Sequence, residues 1–100
     1  MRRKARIDQN QNEVVRQLRN IPGVTVRITS MVGEGFADFV IGYKKRNFLI
    51  ELKNSKNIPS KKKLTPEEEK FFQAWTGQVD KAETIEDCLK IIGLFTPKGW

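Results

Sequence analysis

Two neighbouring apolar runs, FADFVIGY at 36–43 and NFLIELK at 47–53, limit what this chain can fold into more than any other feature. Both are rich in Val, Ile, Phe and Tyr and of a length that suits buried strands. The short KKRN stretch between them reads as the turn of an antiparallel hairpin. Yet the runs carry Asp38, Glu51 and Lys53, and desolvating a charge beside a core is costly. With Lys45 and Arg46 at the tip, Lys44 pairs with Asn47, Asp38 faces Lys53 and Val40 faces Glu51. A four-residue loop from Lys44 to Asn47 gives the same register, whereas an odd-length loop would separate the three groups. Residues opposite each other, and residues two apart on a strand, share a face. Asp38, Glu51 and Lys53 are therefore expected on one face at one end of the hairpin.

Two carboxylates converging on a point repel each other unless a cation sits between them. A site made only of oxygen ligands suits Mg²⁺ or Mn²⁺, which keep open positions for water and for substrate phosphate. A lysine beside such an ion can position or deprotonate the attacking water, or steady charge on a phosphorane-like transition state. The competing reading is plainer: a cross-strand ion pair of Asp38 with Lys53, and a solvated Glu51. Three features weigh against it, namely the shared face, the glycine loop just before Asp38 and the basic loop just after Lys53.

The rest of the chain supplies the frame. DQNQNEVVRQLRNIPG reads as a helix with Asp8 as N-cap and Val14, Val15, Leu18 and Ile21 as its apolar stripe. VTVRIT (24–29) alternates as a half-buried strand does, and SMVGEG is a glycine loop whose Gly33 and Gly35 allow a sharp turn or a close approach to substrate. NSKNIPSKKK has no periodicity and reads as a loop. LTPEEEKFFQAWTG opens with a capping box of Thr65 and Glu68, has Pro66 at the first helical position, and is expected to bury Phe71, Phe72 and Trp75 before stopping at Gly77. QVDKAE is a short strand, and TIEDCLKIIG a helix capped by Thr84 and closed by Gly93. The expectation is a single α/β domain over 1–100, a mixed sheet flanked on both faces by helices in the order α-β-β-β-α-β-α.

Composition excludes several chemistries. The chain of 100 residues has no histidine, which removes His-based zinc sites, Ser-His triads and imidazole bases. Its single cysteine, Cys88, leaves no internal disulfide and fits a reducing compartment. No stretch reaches the roughly 20 apolar residues of a spanning helix, and the basic start lacks an apolar run behind it, so neither anchor nor secretory signal is expected and the cytoplasm of a bacterium or phage-infected host is the expected location. The net charge of +7 points to a polyanionic partner.

Together these residues resemble the PD-(D/E)XK nuclease superfamily, with its restriction-endonuclease-like fold. Asp38 matches the first acid and Glu51-Leu52-Lys53 matches E-x-K. More narrowly, DQNQNEVV, MVGEGFADFVIG, NFLIELK, LTPEEEKFFQAWTGQV and TIEDCLKIIG resemble, in that order, stand-alone VRR-NUC domains of phages and bacteria, over nearly the whole chain from Arg6 to Leu94. The resemblance implies that Asp38, Glu51 and the Leu52 carbonyl bind the metal and that Lys53 is the catalytic lysine. Glu13 matches an acid that in related nucleases reaches the metal region, and a solvated helix position is the alternative. Ala37 stands where the family usually has proline. Where the family often has a glutamine early in the next helix this chain has Glu67, Glu68 and Glu69, which the helix dipole explains, with Gln73 about a turn later as an alternative polar group.

Phosphate binding is expected from Lys56, Lys61, Lys62 and Lys63, which follow the catalytic strand, and from a basic arm carrying Arg2, Arg3, Lys4 and Arg6 (residues 1–6). Lys44, Lys45 and Arg46 at the hairpin tip read as ordinary solvated surface. The resulting expectation is a Mg²⁺- or Mn²⁺-dependent endonuclease acting on DNA, structure-selective because no base-reading element is evident, and a homodimer acting on branched DNA by analogy with resolvases of Holliday junctions. A nicking or flap nuclease of a phage replication or packaging system is one alternative, and a non-catalytic nucleic-acid-binding protein is another.

Overall fold

The computed structural model describes residues 9–54, 56 and 59–94. The order of elements is α1 (Gln9–Arg19), β1 (Val24–Ile28), β2 (Phe39–Tyr43), β3 (Arg46–Leu52), a 3₁₀ turn (Pro59–Lys62), α2 (Pro66–Ala74), β4 (Val79–Ala82) and α3 (Ile85–Ile92). This is the α-β-β-β-α-β-α sequence of elements, with one addition: the lysine-rich segment after β3 is a loop only in part. The expected N-cap Asp8 and the basic residues Arg2, Arg3, Lys4 and Arg6 lie outside the described residues.

The four strands form one mixed sheet in the order β1-β2-β3-β4. β1, β2 and β3 are antiparallel neighbours, and β4 runs parallel to β3 after the α2 crossover. Alternate residues of the strands, Val24, Val26, Phe39, Ile41, Phe48, Ile50, Leu52 and Ala82, form one buried layer. α1 covers it with Val14, Val15 and Leu18, and α3 with Cys88 and Ile92. These two helices touch each other as well as the sheet. Cys88 is fully buried, and burial, with the Asp87 charge adding to it, pushes its thiol up to about 12, so it packs as a small apolar residue.

The hairpin differs from the expected register. Tyr43 pairs with Arg46 and Phe39 with Ile50, so the turn consists of Lys44 and Lys45, both in the left-handed region (φ 53° and 68°). That is a two-residue type I′ turn, which matches the twist of the flanking strands. Extended one residue past its last pair, this register brings Asp38 towards Glu51 and not Lys53, and Val40 lies across from Leu49. The displacement is two residues, so every side chain keeps its face.

α2 is the second correction. Its Thr65–Glu68 capping box forms as expected, with Glu68 N–H donating to Thr65 Oγ1 at 3.2 Å and Thr65 N–H donating to Glu68 Oε1 at 2.9 Å. However, no residue of α2 is buried, and Trp75 is 42% exposed. Phe71 and Trp75, a turn apart, pack edge-on or tilted against each other and against Phe36 of the glycine loop, at centroid distances of 5.0–5.8 Å. α2 thus docks on the loop before β2 through a satellite aromatic cluster and adds nothing to the main core.

Gly35 makes that docking possible. Its φ is +78°, and a Cβ built there would sit 2.5 Å from the carbonyl oxygen of Glu67 in the first turn of α2. Gly33 has a similar φ of +84° with nothing within 4 Å. Gly33→Ala is therefore expected to cost about 1–2 kcal/mol, the left-handed penalty alone. Gly35→Ala should cost clearly more, because backbone must also move, and urea unfolding of the two variants side by side measures the difference.

Candidate metal centre

The charged end of the sheet lies just beyond its last apolar pair, Phe39 with Ile50. Asp38 N–H donates to the Ile50 carbonyl at 2.9 Å, and the Asp38 carbonyl accepts from Thr29 N–H at 2.8 Å, so its main chain is fixed between both neighbouring strands. Ser30 Oγ donates to the same carbonyl at 3.3 Å, and Gln11 of α1, itself buried, donates to Ser30 Oγ at 3.1 Å. The side chain is fixed too: Asp38 Oδ2 accepts the Leu52 N–H at 2.8 Å. In an extended strand the N–H and C=O of one residue leave on the same side, which puts the Leu52 carbonyl on the Asp38 side of β3.

Glu51 is the most unusual residue of the chain. It is only 3% exposed, and its Oε1 has no hydrogen-bond partner. Burial, then the adjacent Asp38 charge, then Glu68 push its carboxyl up to about 9. Burial raises Asp38 as well, partly offset by the Leu52 N–H and by a hydrogen bond shared with Glu51. The two acids expected to converge do converge.

Lys53 joins them from the residue after β3, its N–H donating to the Ala82 carbonyl at 2.8 Å. Its Nζ lies 2.8 Å from Glu68 Oε1 and 3.6 Å from Glu51 Oε2. Burial works against its charge, but the hydrogen bond to Glu68 and the three surrounding carboxylates outweigh that and hold its pKa above the ordinary value. Glu68 is held below its ordinary value in spite of burial, by the Lys53 ammonium and the Thr65 N–H.

Glu68 is the residue that sequence reasoning missed. Its capping-box role is legible, and capping together with the helix dipole is enough to explain an acidic first turn. The same carboxylate spans two elements, tying the start of α2 to the lysine after β3. A lone lysine leaving an apolar strand needs a counter-charge, and that need was the available signal. Gln73, the alternative polar group on this helix, is exposed. Glu13 is exposed on α1, and its carboxylate pairs with Arg16. Neither joins the cluster.

The remaining sequence candidates surround it unequally. Lys56, Lys61 and Lys63 are exposed in the segment after β3, whereas half-buried Lys62 pairs with Glu83 at 3.6 Å. Lys81, opposite Glu51 in the parallel ladder, donates to the Lys62 carbonyl at 3.1 Å and so ties that segment to β4. Gly33 and Gly35 shape the loop before Asp38, as described above.

The site has a charge deficit. Three carboxylates, Asp38, Glu51 and Glu68, share one ammonium, Lys53. Left alone, the site resolves this by keeping a proton on Glu51. The donor chemistry fits a divalent hard cation instead: the partnerless Oε1 of a buried carboxylate, a second carboxylate hydrogen-bonded to it, and the carbonyl of Leu52, whose N–H already binds that second carboxylate. Among the described residues, no group of three or more His, Cys, Asp or Glu side chains is placed so that together they could hold a metal ion, so the candidate donors are limited to two carboxylates and a main-chain carbonyl.

Comparison with protein-family models, with curated proteins and with solved structures gave no match.

The raised pKa of Glu51 makes stability depend on pH in one direction. Between its unfolded value near 4.5 and about 9, the folded state holds a proton that the unfolded state has released, so stability falls as pH rises across that window. In EDTA, thermal unfolding from pH 5 to 9 should show that decline, and Glu51→Gln, which carries its hydrogen permanently, should flatten it. Every tenfold difference in proton affinity between the folded and unfolded states corresponds to about 1.4 kcal/mol, well within the resolution of the experiment.

Proposed function

We propose that this chain is a Mg²⁺- or Mn²⁺-dependent endonuclease hydrolysing DNA phosphodiester bonds, of the VRR-NUC kind within the PD-(D/E)XK nucleases. The observation that carries the reading is Glu51, buried against Asp38 with an oxygen that has no partner. Burying an uncompensated acid is costly, and here the burial is accounted for by a cation.

In this reading Asp38 and Glu51, with the Leu52 carbonyl, hold the ion. When bound, the ion lowers the pKa of a water and neutralises charge on the phosphate. Lys53 stays protonated at neutral pH because its surrounding carboxylates hold its pKa up. Its role is then to orient the attacking water and to stabilise charge on the phosphate, and a general-base role would need the ammonium to lose its proton first. Glu68 acts on Lys53 as a positioning residue, holding Nζ at 2.8 Å from its Oε1 in the first turn of a helix that is itself capped. The exposed Lys56, Lys61 and Lys63 would neutralise the phosphates nearest the scissile bond.

The substrate preference in this reading is for DNA structure, with a homodimer cutting branched DNA such as a four-way junction, in the cytoplasm of a bacterium or phage-infected host. No described helix is long and apolar enough to cross a membrane. One observation favours a second reading, a nucleic-acid-binding protein without catalysis: Asp38 Oδ2 and Lys53 Nζ already have partners at 2.8 Å without any ion.

Cleavage of labelled four-way junction, linear duplex and single strand in Mg²⁺, Mn²⁺ or EDTA separates the two. Metal-dependent cutting is expected, abolished by EDTA and reduced at least ~100-fold in Glu51→Ala and Lys53→Ala. Paired cuts at the junction would support the resolvase-like dimer. Folded protein that binds DNA and cuts none of the substrates would establish the second reading.

A further inference from the structure

The geometry points to a second phosphate-binding track, running along the free edge of β1 to the hairpin tip, that holds the DNA backbone away from the Asp38–Glu51 centre. Two shallow depressions meet at Thr25. One, of about 540 Å³, lies along β1 between Arg19 and Arg27. The other, of about 290 Å³, lies at the hairpin end and is lined by Lys44, Lys45 and Arg46. Five cations line the pair of depressions and no acid does.

These cations share their lack of an ion-pair partner among the described residues with exposed Lys56, Lys61 and Lys63, but not with every basic residue. Described acids neutralise Arg16, Lys53 and Lys62, whereas none of these five is ion-paired with a described acid. Several are also held in place. Arg19 donates to the Val26 carbonyl at 3.0 Å, which caps the strand edge and leaves other guanidinium N–H groups for a ligand. Lys44 stands over the Tyr43 ring at 5.4 Å and Arg46 over Phe48 at 5.2 Å. The floor is kept open by Gly42, where a Cβ would come within 2.7 Å of Thr25 Oγ1. A rigid turn, preset cations and a side-chain-free floor suit an extended polyanion, and a solvated turn requires none of them.

The spacing fits the same molecule as the metal centre. Arg27 pairs with Val40, two residues along β2 from Asp38, and Thr25 pairs with Gly42, four residues along. At ~3.3 Å per residue these lie about 7 and 13 Å from the acid, or roughly two and four base pairs of duplex at 3.4 Å per step. The track rests on the reading of nucleic acid as the substrate, but not on cleavage, and binding in EDTA tests it separately.

The test compares wild type with a triple variant, Arg27→Gln, Lys45→Asn and Arg46→Gln. Asparagine is chosen at 45 because it tolerates the left-handed turn, and circular dichroism checks the fold. Fluorescence anisotropy with hairpin-closed duplexes of 4 to 12 base pairs, in EDTA and over a range of salt, reads affinity. The variant should lose about tenfold or more on the longer duplexes, and its salt slope should fall by roughly one per lost contact. It should match wild type on the shortest stem, and Lys70→Gln on α2 should match wild type throughout. Unchanged affinity and slope on the long stems would overturn the track, as would an absence of wild-type binding. Loss of binding to phosphatidylglycerol vesicles with duplex binding intact would overturn it too, and would reassign the cations to a membrane surface. If Mg²⁺ supports no cleavage while the loss in EDTA persists, the nuclease reading fails and the track stands.

Discussion

A carboxylate buried beside a second carboxylate is the constraint on which the rest of this structure depends. Glu51 sits on a strand whose alternate residues build the core and whose main chain is paired on both sides, which fixes the buried carboxylate to the opposite face of the sheet. Asp38 cannot retreat either, because its main chain is bonded on both sides and its side chain is held by the Leu52 N–H. The repulsion has two outlets, a proton on Glu51 or a cation between the acids. Which outlet is used sets both the stability of the domain and its chemistry.

The hairpin turn decides whether those acids meet. The turn residues are two lysines in the left-handed region, where asparagine, aspartate or glycine would be the usual signal. With that signal missing from KKRN, sequence reasoning places the tip one residue late. The error moves Asp38 from Glu51 to Lys53 as its cross-strand neighbour. It does not move any group to the other face, because the error in register is two residues and the pleat repeats every two. The acid–acid–lysine cluster was thus legible while its internal pairing was not.

The helices divide along similar lines. α1 and α3 carry apolar stripes of helical period, and both cover the sheet as that pattern requires. α2 has its aromatic residues at 71, 72 and 75, which read as the same kind of stripe, but its acidic first turn is drawn to Lys53 at the end of β3. That anchoring seats the helix over the charged end of the sheet, and Phe36 from the glycine loop completes a small cluster there. Phe36 was unreadable as a partner of α2 because its contacts rest on Gly35 letting the loop touch the α2 backbone, a tertiary fact with no periodic trace. Of the basic edge, only Lys44, Lys45 and Arg46 were legible, and they read as solvated surface, because the cations come from α1, β1 and the hairpin and no run of sequence brings them together.

Whether the Asp38–Glu51 pair is a cation site can be decided without invoking catalysis. Electron paramagnetic resonance of free Mn²⁺, titrated with protein at pH 7.5 in the absence of DNA, measures binding directly. One ion bound per chain is expected, with binding lost in Glu51→Gln and kept in Glu13→Gln. Equal binding by wild type and Glu51→Gln, or no binding by either, would show that the buried acids hold a proton and not a metal.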